Sequence, residues 1–215
     1  MKTIHFFSLL LVIVMVIGFA LFGCNKSPSP SSPPSSSELP FEALYLGNNL
    51  FVITKTSEET SVNLHLPLVA HFDSQQEIQV GDAVALAFDE IMESFPAQAK
   101  ITASEKLPQE TKAYTASFNL AYQLLQIRPD KTHLIDVRTI DEFESGHVPD
   151  SINIPVDQIN DIVDSIPDLD STLLIYCRSG RRTVTAARAL IDLGYKVIFD
   201  LGGISNYEGD LEKGR

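Results

Sequence analysis

The sequence predicts an α/β protein: an open, mostly parallel five-stranded sheet with helices on both faces, preceded by a small all-β, barrel-like domain. Three observations predict it. From residue 117 onward, short apolar runs of buried-strand type alternate with segments of helical period, the pattern of a parallel sheet covered on both sides. Between residues 41 and 107 the apolar runs are short and bounded by Gly, Asn and Asp turn signals. A chain of 215 residues that is 44% apolar is large enough to bury one or two cores.

Taken in order, the first element is an apolar run from Phe6 to Phe22, followed by Gly23 and Cys24. Its length lies at the lower limit for a membrane-spanning helix and is somewhat long for the apolar core of a signal peptide. Leu21-Phe22-Gly23-Cys24 resembles the lipobox of bacterial lipoproteins, whose cysteine is lipidated and becomes the mature N-terminus. That resemblance implies a signal peptide over 1–23, lipidation of Cys24, and anchorage to the outer face of the cell membrane; an uncleaved signal anchor is the alternative. Residues 24–40 form a Pro/Ser-rich linker without apolar periodicity, which cannot bury a core and stays extended and solvated.

In the β region, Leu50 to Ile53 follows the turn signal Gly47-Asn48-Asn49, Val62 to Leu66 alternates, and Ala83 to Phe88 follows Val80-Gly81-Asp82. These segments read as hairpins of a barrel or sandwich over 41–108. The stretch Glu93 to Ala99, ESFPAQA, resembles a signature of a family of small secreted β-domains of unknown function in lipoproteins of Gram-positive bacteria, which also carries Val-Gly-Asp before a strand. The resemblance implies a fold and a location and leaves the partner of this domain unspecified. His65 and His71 are expected to be packing or surface residues, since no third ligand is at hand.

The region 112–215 follows. Residues 117–127 have helical spacing, His133 to Val137 is a buried-type strand, and Thr139 to Ser145 is a short polar helix. Thr172 to Tyr176 is another buried strand, Val184 to Leu193 a helix closed by Gly194, and Lys196 to Phe199 a further strand. In such sheets ligands bind beyond the carboxyl ends of the strands, where Cys177 falls.

Charge and cysteine usage narrow the chemistry. A net charge of −12 with no basic stripe outside residues 176–182 excludes a nucleic-acid backbone as partner. The two cysteines, Cys24 and Cys177, form neither a CxxC pair nor a cluster with histidines, so neither a metal nor a cofactor is expected. With Cys24 lipidated, no intramolecular disulfide can form.

The stretch YCRSGRR then carries the argument. A strand ends at Tyr176 and a helix begins near Thr183, so the backbone N–H groups between them converge on one spot at a helix N-terminus. The result is an anion cradle with a thiol at its exposed rim. Gly180 permits backbone angles closed to other residues, Ser179 leaves the hole unfilled, and Arg178, Arg181 and Arg182 add positive charge to the helix dipole. All of these favour thiolate over thiol at Cys177.

Residues from about 112 to the end resemble a single-domain rhodanese, a sulfurtransferase module. The resemblance rests on Asp136-Val137-Arg138, Glu142-Phe143, Gly146-His147-Val148-Pro149 leading to Ile152-Asn153-Ile154-Pro155, Cys177 to Arg182, Gly194-Tyr195, and Leu201-Gly202-Gly203-Ile204. Asp150-Ser151 stands where Gly-Ala is usual, and Tyr207 where a tryptophan is common. The resemblance implies a persulfide relay in which Cys177 is the nucleophile. Arg182, with Arg178 or Arg181, would bind a small anionic sulfur donor such as thiosulfate, and the acceptor would be a thiol or cyanide. Asp136, Arg138 and His147 would support the site rather than react. Two other readings compete: a phosphatase or arsenate reductase, whose loop arginine would fall at position 183, here Thr, and a sensing or carrier module in which Cys177 holds sulfur or is oxidised without turnover.

Overall fold

The computed structural model describes residues 39–57, 65–71, 77–92 and 94–214. The expected signal peptide, Cys24, all of the linker but Leu39-Pro40, residues 62–64 of the expected strand and Glu93 lie outside the described residues.

Five strands, β1 (Phe41–Gly47), β2 (Leu50–Thr56), β3 (Pro67–His71), β4 (Ala83–Met92) and β5 (Ala97–Lys106), close into a barrel in the order β1-β2-β3-β5-β4. β3 and β5 run parallel and the other pairs antiparallel, with β4 closing on β1. The Gly47-Asn48-Asn49 turn joins β1 to β2 with positive φ at all three residues, conformations that Gly and Asn tolerate. The expected strand over Val62–Leu66 is corrected at its described end: His65 has φ of 65°, which breaks the two-residue alternation, and β3 begins at Pro67 opposite Val52.

Alternation along β1 and β2 sends Phe41, Ala43, Phe51 and Ile53 into the barrel, where they meet Leu68, Val84 and Leu86. The intervening residues, Leu44, Leu46, Leu50 and Val52, are just as apolar and point outward. A barrel apolar on its outer face needs a cover. It finds one in the second half of the chain, within a single compact unit.

That half is a five-stranded sheet of order β6-β10-β9-β7-β8, parallel in every pairing. Its strands are β6 (Tyr114–Thr115), β7 (Thr132–Asp136), β8 (Ser151–Asn153), β9 (Thr172–Cys177) and β10 (Val197–Gly203). The helices are α1 (Phe118–Ile127), α2 (Ile140–Ser145), α3 (Ile162–Ser165) and α4 (Arg181–Asp192). Ser117 caps α1 by accepting from the Leu120 N–H, and Thr139 and Glu142 close a capping box on α2. The edge strands β6 and β8, two and three residues long, are too short to show a periodicity in sequence.

Strand alternation again sorts the core. Leu134, Leu174, Tyr176 and Phe199 face α1, while Ile135, Leu173, Ile175, Cys177 and Ile198 pack with the α3 residue Ile162 and with Ala186, Ala187 and Leu190 of α4. The cluster around α1 also takes in Leu44, Leu46, Leu50 and Val52, so the helix lies between barrel and sheet. Arg128, just past α1, donates to the Leu46 carbonyl. Gly81 has φ of 89°, and a Cβ there would stand 2.7 Å from Cβ of Lys196, a close approach that only glycine permits.

Because one core serves both parts, residues 39–214 should unfold in a single transition. Leu124→Ala, in the middle of that core, should lower stability by about 2–5 kcal/mol in urea denaturation followed by circular dichroism. A separate barrel transition that persists in the variant would contradict a common core.

Candidate active site

Cys177 is the last residue of β9, between β7 and β10 and at the carboxyl end of the sheet. Only Arg178, Ser179 and Gly180 separate it from α4. Gly180 takes a left-handed conformation, φ 87° and ψ −14°, which reverses the chain and aims its N–H at Cys177 Sγ, 3.1 Å away. The expected helix start near Thr183 is corrected to Arg181, because the left-handed turn at Gly180 already allows helical bonding to begin there. Arg181 and Arg182 therefore belong to the first helical turn, whose N–H groups have no partner within the helix. A second correction concerns the thiol: Cys177 is 1% exposed, at the floor of the loop rather than on an open rim, because β9 is buried along its whole length.

The loop is braced from β10. Thr183 Oγ1 lies 2.6 Å from the Gly180 carbonyl and 2.8 Å from Asp200 Oδ2, and Asp200 Oδ1 accepts from the Gly202 N–H at 2.8 Å. Gly203 backs directly onto the loop: a Cβ there would be 2.8 Å from the Arg178 carbonyl oxygen and 3.0 Å from the Ser179 Cα. The loop thus keeps its shape only over a bare backbone.

The arginines divide into two kinds. Arg182 forms a bidentate pair with Glu142, Nη1 to Oε2 at 2.6 Å and Nη2 to Oε1 at 2.9 Å. Its guanidinium is held above its ordinary range chiefly by Glu142, with Cys177 adding to the effect. Glu142 is held down to about 2, chiefly by Arg182, against an opposing effect of burial and with help from the Thr139 N–H. Arg178, Ser179 and Arg181 are exposed at the mouth of the loop. The structure thus brings Cys177, Gly180 and Arg182 together and leaves the other two arginines toward solvent.

Asp136 and Arg138 lie beside the loop, on and just past the end of β7. Arg138 Nε donates to both Asp136 oxygens at 3.0 and 2.8 Å and Nη2 donates to Oδ2 at 2.6 Å, with both residues buried. Nη2 also reaches the Gly146 carbonyl at 2.7 Å, and Asn153 Nδ2 donates to the carbonyls of Asp136 and Arg138 at 2.9 and 3.0 Å. The guanidinium sits 5.9 Å over the Tyr176 ring, whose hydroxyl accepts from the Val148 N–H and meets Ser151 Oγ. Burial, then the Asp136 charge, pushes the Tyr176 phenol above its ordinary range. His147 stacks on Phe143 at 3.7 Å, places Nδ1 3.0 Å from the Phe143 carbonyl and exchanges backbone bonds with Glu212. The bonds of these three residues go to the turns around the loop.

Glu142, Thr183, Asp200 and Gly203 were not among the expected site residues. The Thr139-x-x-Glu142 spacing signals a capping box in sequence, but the reach of Glu142 to Arg182, forty residues on, does not show there. Among the described residues, no group of three or more His, Cys, Asp or Glu is placed to hold a metal ion.

Comparison with known proteins places this region. The profile of the rhodanese-like domain matches residues 120–210. The thiosulfate sulfurtransferase PspE of Escherichia coli is 32% identical over 83 residues, which is 38% of this chain and 80% of PspE. The thiosulfate sulfurtransferase GlpE of Pseudomonas savastanoi is 31% identical over 81 residues, 38% of this chain and 76% of GlpE. Across curated relatives the match covers as little as 45% of their length. Among solved structures, a rhodanese with anions from E. coli is 32% identical, covering 39% of this chain and 99% of that one, with a TM-score of 0.37.

Gly203→Ala should force the loop off its backing and lower stability by about 1–3 kcal/mol in urea denaturation; an unchanged midpoint would remove Gly203 from the support of the loop. Glu142 titrates lower in the folded chain than its ordinary value of 4.5, so its pairing stabilises the fold above pH 4.5 and ceases to do so as pH falls toward about 2. The stability gap between the parent and Glu142→Gln should therefore be constant above pH 5 and close across that window; a gap independent of pH would contradict the pairing.

Proposed function

The chain belongs to the rhodanese-like family, and on that footing we propose that it is a membrane-tethered, extracytoplasmic sulfurtransferase working through a persulfide on Cys177. The observation that carries the reading is the Gly180 N–H aimed at the Cys177 sulfur from a left-handed turn at the carboxyl end of the sheet, with Arg182 in the first turn of the helix that follows. Relatives named as thiosulfate sulfurtransferases support thiosulfate as the donor.

In the first step the Cys177 thiolate attacks the sulfane sulfur of thiosulfate. The S–S bond of the donor breaks with its electron pair, sulfite leaves, and Cys177 holds one extra sulfur as a persulfide anion. In the second step a thiolate or cyanide attacks the outer sulfur, and Cys177 departs as thiolate. Two displacements through a covalent enzyme give ping-pong kinetics. Arg182 attracts the donor and stabilises the negative persulfide, and the Gly180 N–H, with the open N–H groups of the first turn of α4, supplies neutral donors without a proton to lose. Glu142 keeps the guanidinium in place. The same pairing offsets the charge of Arg182 at longer range, so Arg178 and Arg181 supply the field that draws the anion to the mouth.

The apolar run from Phe6 to Phe22 and the lipobox-like Leu21 to Cys24 support a lipid anchor at Cys24. The Pro/Ser-rich linker supports a spacer of about 3 Å per residue between membrane and catalytic unit.

Sulfur transfer from thiosulfate to cyanide, with intact mass recorded after donor alone, tests the reading. The parent should gain one sulfur atom and turn over; Cys177→Ser should do neither. Arg182→Ala should lower kcat/KM about ten- to hundredfold, the size of one charge-assisted hydrogen bond. A folded parent that takes up no sulfur would sink the sulfurtransferase reading, and a Cys24→Ala chain that stays with the membrane fraction would sink the lipid anchor.

A further inference from the structure

α4 buries Thr183, Ala186, Ala187 and Leu190, and its opposite face carries Arg181, Val184, Thr185 and Arg188, all exposed. Their spacing is that of a single helical stripe. Arg178 at the loop extends it to the mouth of the Cys177 site. The charge on this stripe is unlike that on the rest of the molecule. Arg138 is held by Asp136, Arg182 by Glu142 and Arg128 by the Leu46 carbonyl, and five lysines elsewhere sit against carboxylates. Among the described residues, the arginines without such a partner are Arg178, Arg181 and Arg188, and all three lie on this face. The neighbouring 3-10 turn Val156–Asp161 packs on α4, with Ile159 beside Ala186 and Ala187, and its Asp157 and Asp161 form no ion pair with these arginines. Asp192, the first carboxylate along the stripe, lies one turn past Arg188 at the end of the helix and forms no ion pair with it.

Capture of a small anion at Cys177 does not account for this. Arg188 is seven residues beyond Arg181, about 10 Å along the helix axis. That exceeds the Debye length of about 8 Å at physiological ionic strength, so Arg188 adds little to the potential at the loop. The stripe is longer than the donor and contains an apolar contact, since Val184 is 47% exposed between the arginines. Ile140, the first residue of α2 and 41% exposed, belongs to the neighbouring helix that the Glu142–Arg182 pair ties to α4.

We propose that this face docks the sulfur acceptor, and that the acceptor is a protein or peptide whose thiol is set among acidic residues. The inference rests on the persulfide reading above and adds the chemical class of the second substrate. Charge complementarity carries it: among the described residues of a chain of net charge −12, the unpaired arginines share one face, and that face adjoins Cys177. The bound acceptor's thiolate attacks the outer sulfur of the Cys177 persulfide. One S–S bond breaks as another forms on the acceptor, Cys177 leaves as thiolate, and no external oxidant or reductant is consumed.

The test uses the full chain loaded with thiosulfate and three cysteine peptides of equal length, flanked by Glu/Asp, by Gln/Asn or by Lys, with transfer read as the gain of one sulfur by the peptide in a single turnover. The acidic peptide should react about tenfold faster than the neutral one at low salt, and the advantage should vanish at high salt. Arg188→Glu should cut that preference by about threefold or more, while thiosulfate-to-cyanide turnover stays at the parental rate. Equal rates for the three peptides, or an acidic preference that Arg188→Glu leaves unchanged, would overturn the proposal and leave the persulfide reading standing. Inhibition of cyanide turnover by phosphatidylserine vesicles, relieved by Arg188→Glu and accompanied by equal peptide rates, would assign the face to a lipid surface and likewise overturn it. Failure to load sulfur at all would instead remove the reading on which it rests.

Discussion

Helix α1 has to bury apolar residues on two sides, and the arrangement of the remaining elements follows from that need. Toward the sheet it meets Leu134, Leu174 and Phe199; toward the barrel it meets Leu44, Leu46, Leu50 and Val52. The barrel strands β1 and β2, apolar on both faces, have the complementary requirement. At about 25 cal/mol per Å² of apolar surface, leaving either partner uncovered would offset much of the stability of a domain this small. The barrel is therefore a structural partner of the catalytic sheet on this side. Sites for any further ligand of the barrel would have to lie on its other surfaces.

On the opposite side of the sheet the same economy of space places Cys177. β9 is buried along its length, so its last residue arrives at the carboxyl end of the sheet with its sulfur already inside. The chain must then reverse within three residues, which needs a left-handed Gly180. β10 holds that reversal through Asp200 and the bare backbone of Gly203, and the Asp136–Arg138 pair at the end of β7 stands beside it with its guanidinium over the Tyr176 ring. Burying such a pair is costly unless its remaining polar atoms are met. Here the Gly146 carbonyl and the Arg138 N–H supply those partners.

Electrostatics separates roles that a count of arginines would merge. One buried arginine orders the scaffold, one paired arginine stands beside the sulfur, and the unpaired ones face outward. A charge already matched by a carboxylate acts on its near neighbours, whereas an unmatched one also contributes field and attraction at longer range. The acidic balance of the whole chain sharpens the contrast, because elsewhere most of its described cations are neutralised locally.

What the sequence by itself determined is whatever depends on near neighbours along the chain. The alternation of strand and helix periods after residue 117, the cap at Ser117, the Gly47-Asn48-Asn49 turn, and a cysteine followed by Arg-Ser-Gly-Arg-Arg are all local signals, and each marked an element or the turn between two elements. Helix α4 was placed late because one αL glycine, rather than hydrophobic period, set its start, and β6 and β8 were too short to show any period. Only the tertiary structure decided that the outward residues of β1 and β2 are a buried interface, since an alternating strand and one apolar on both faces differ in what is brought against them. It alone decided that Glu142 meets Arg182, that Gly203 lies under the loop, and that Arg178, Arg181 and Arg188 stand unpaired. Those facts depend on distances between residues far apart in the chain, which packing of the common core sets.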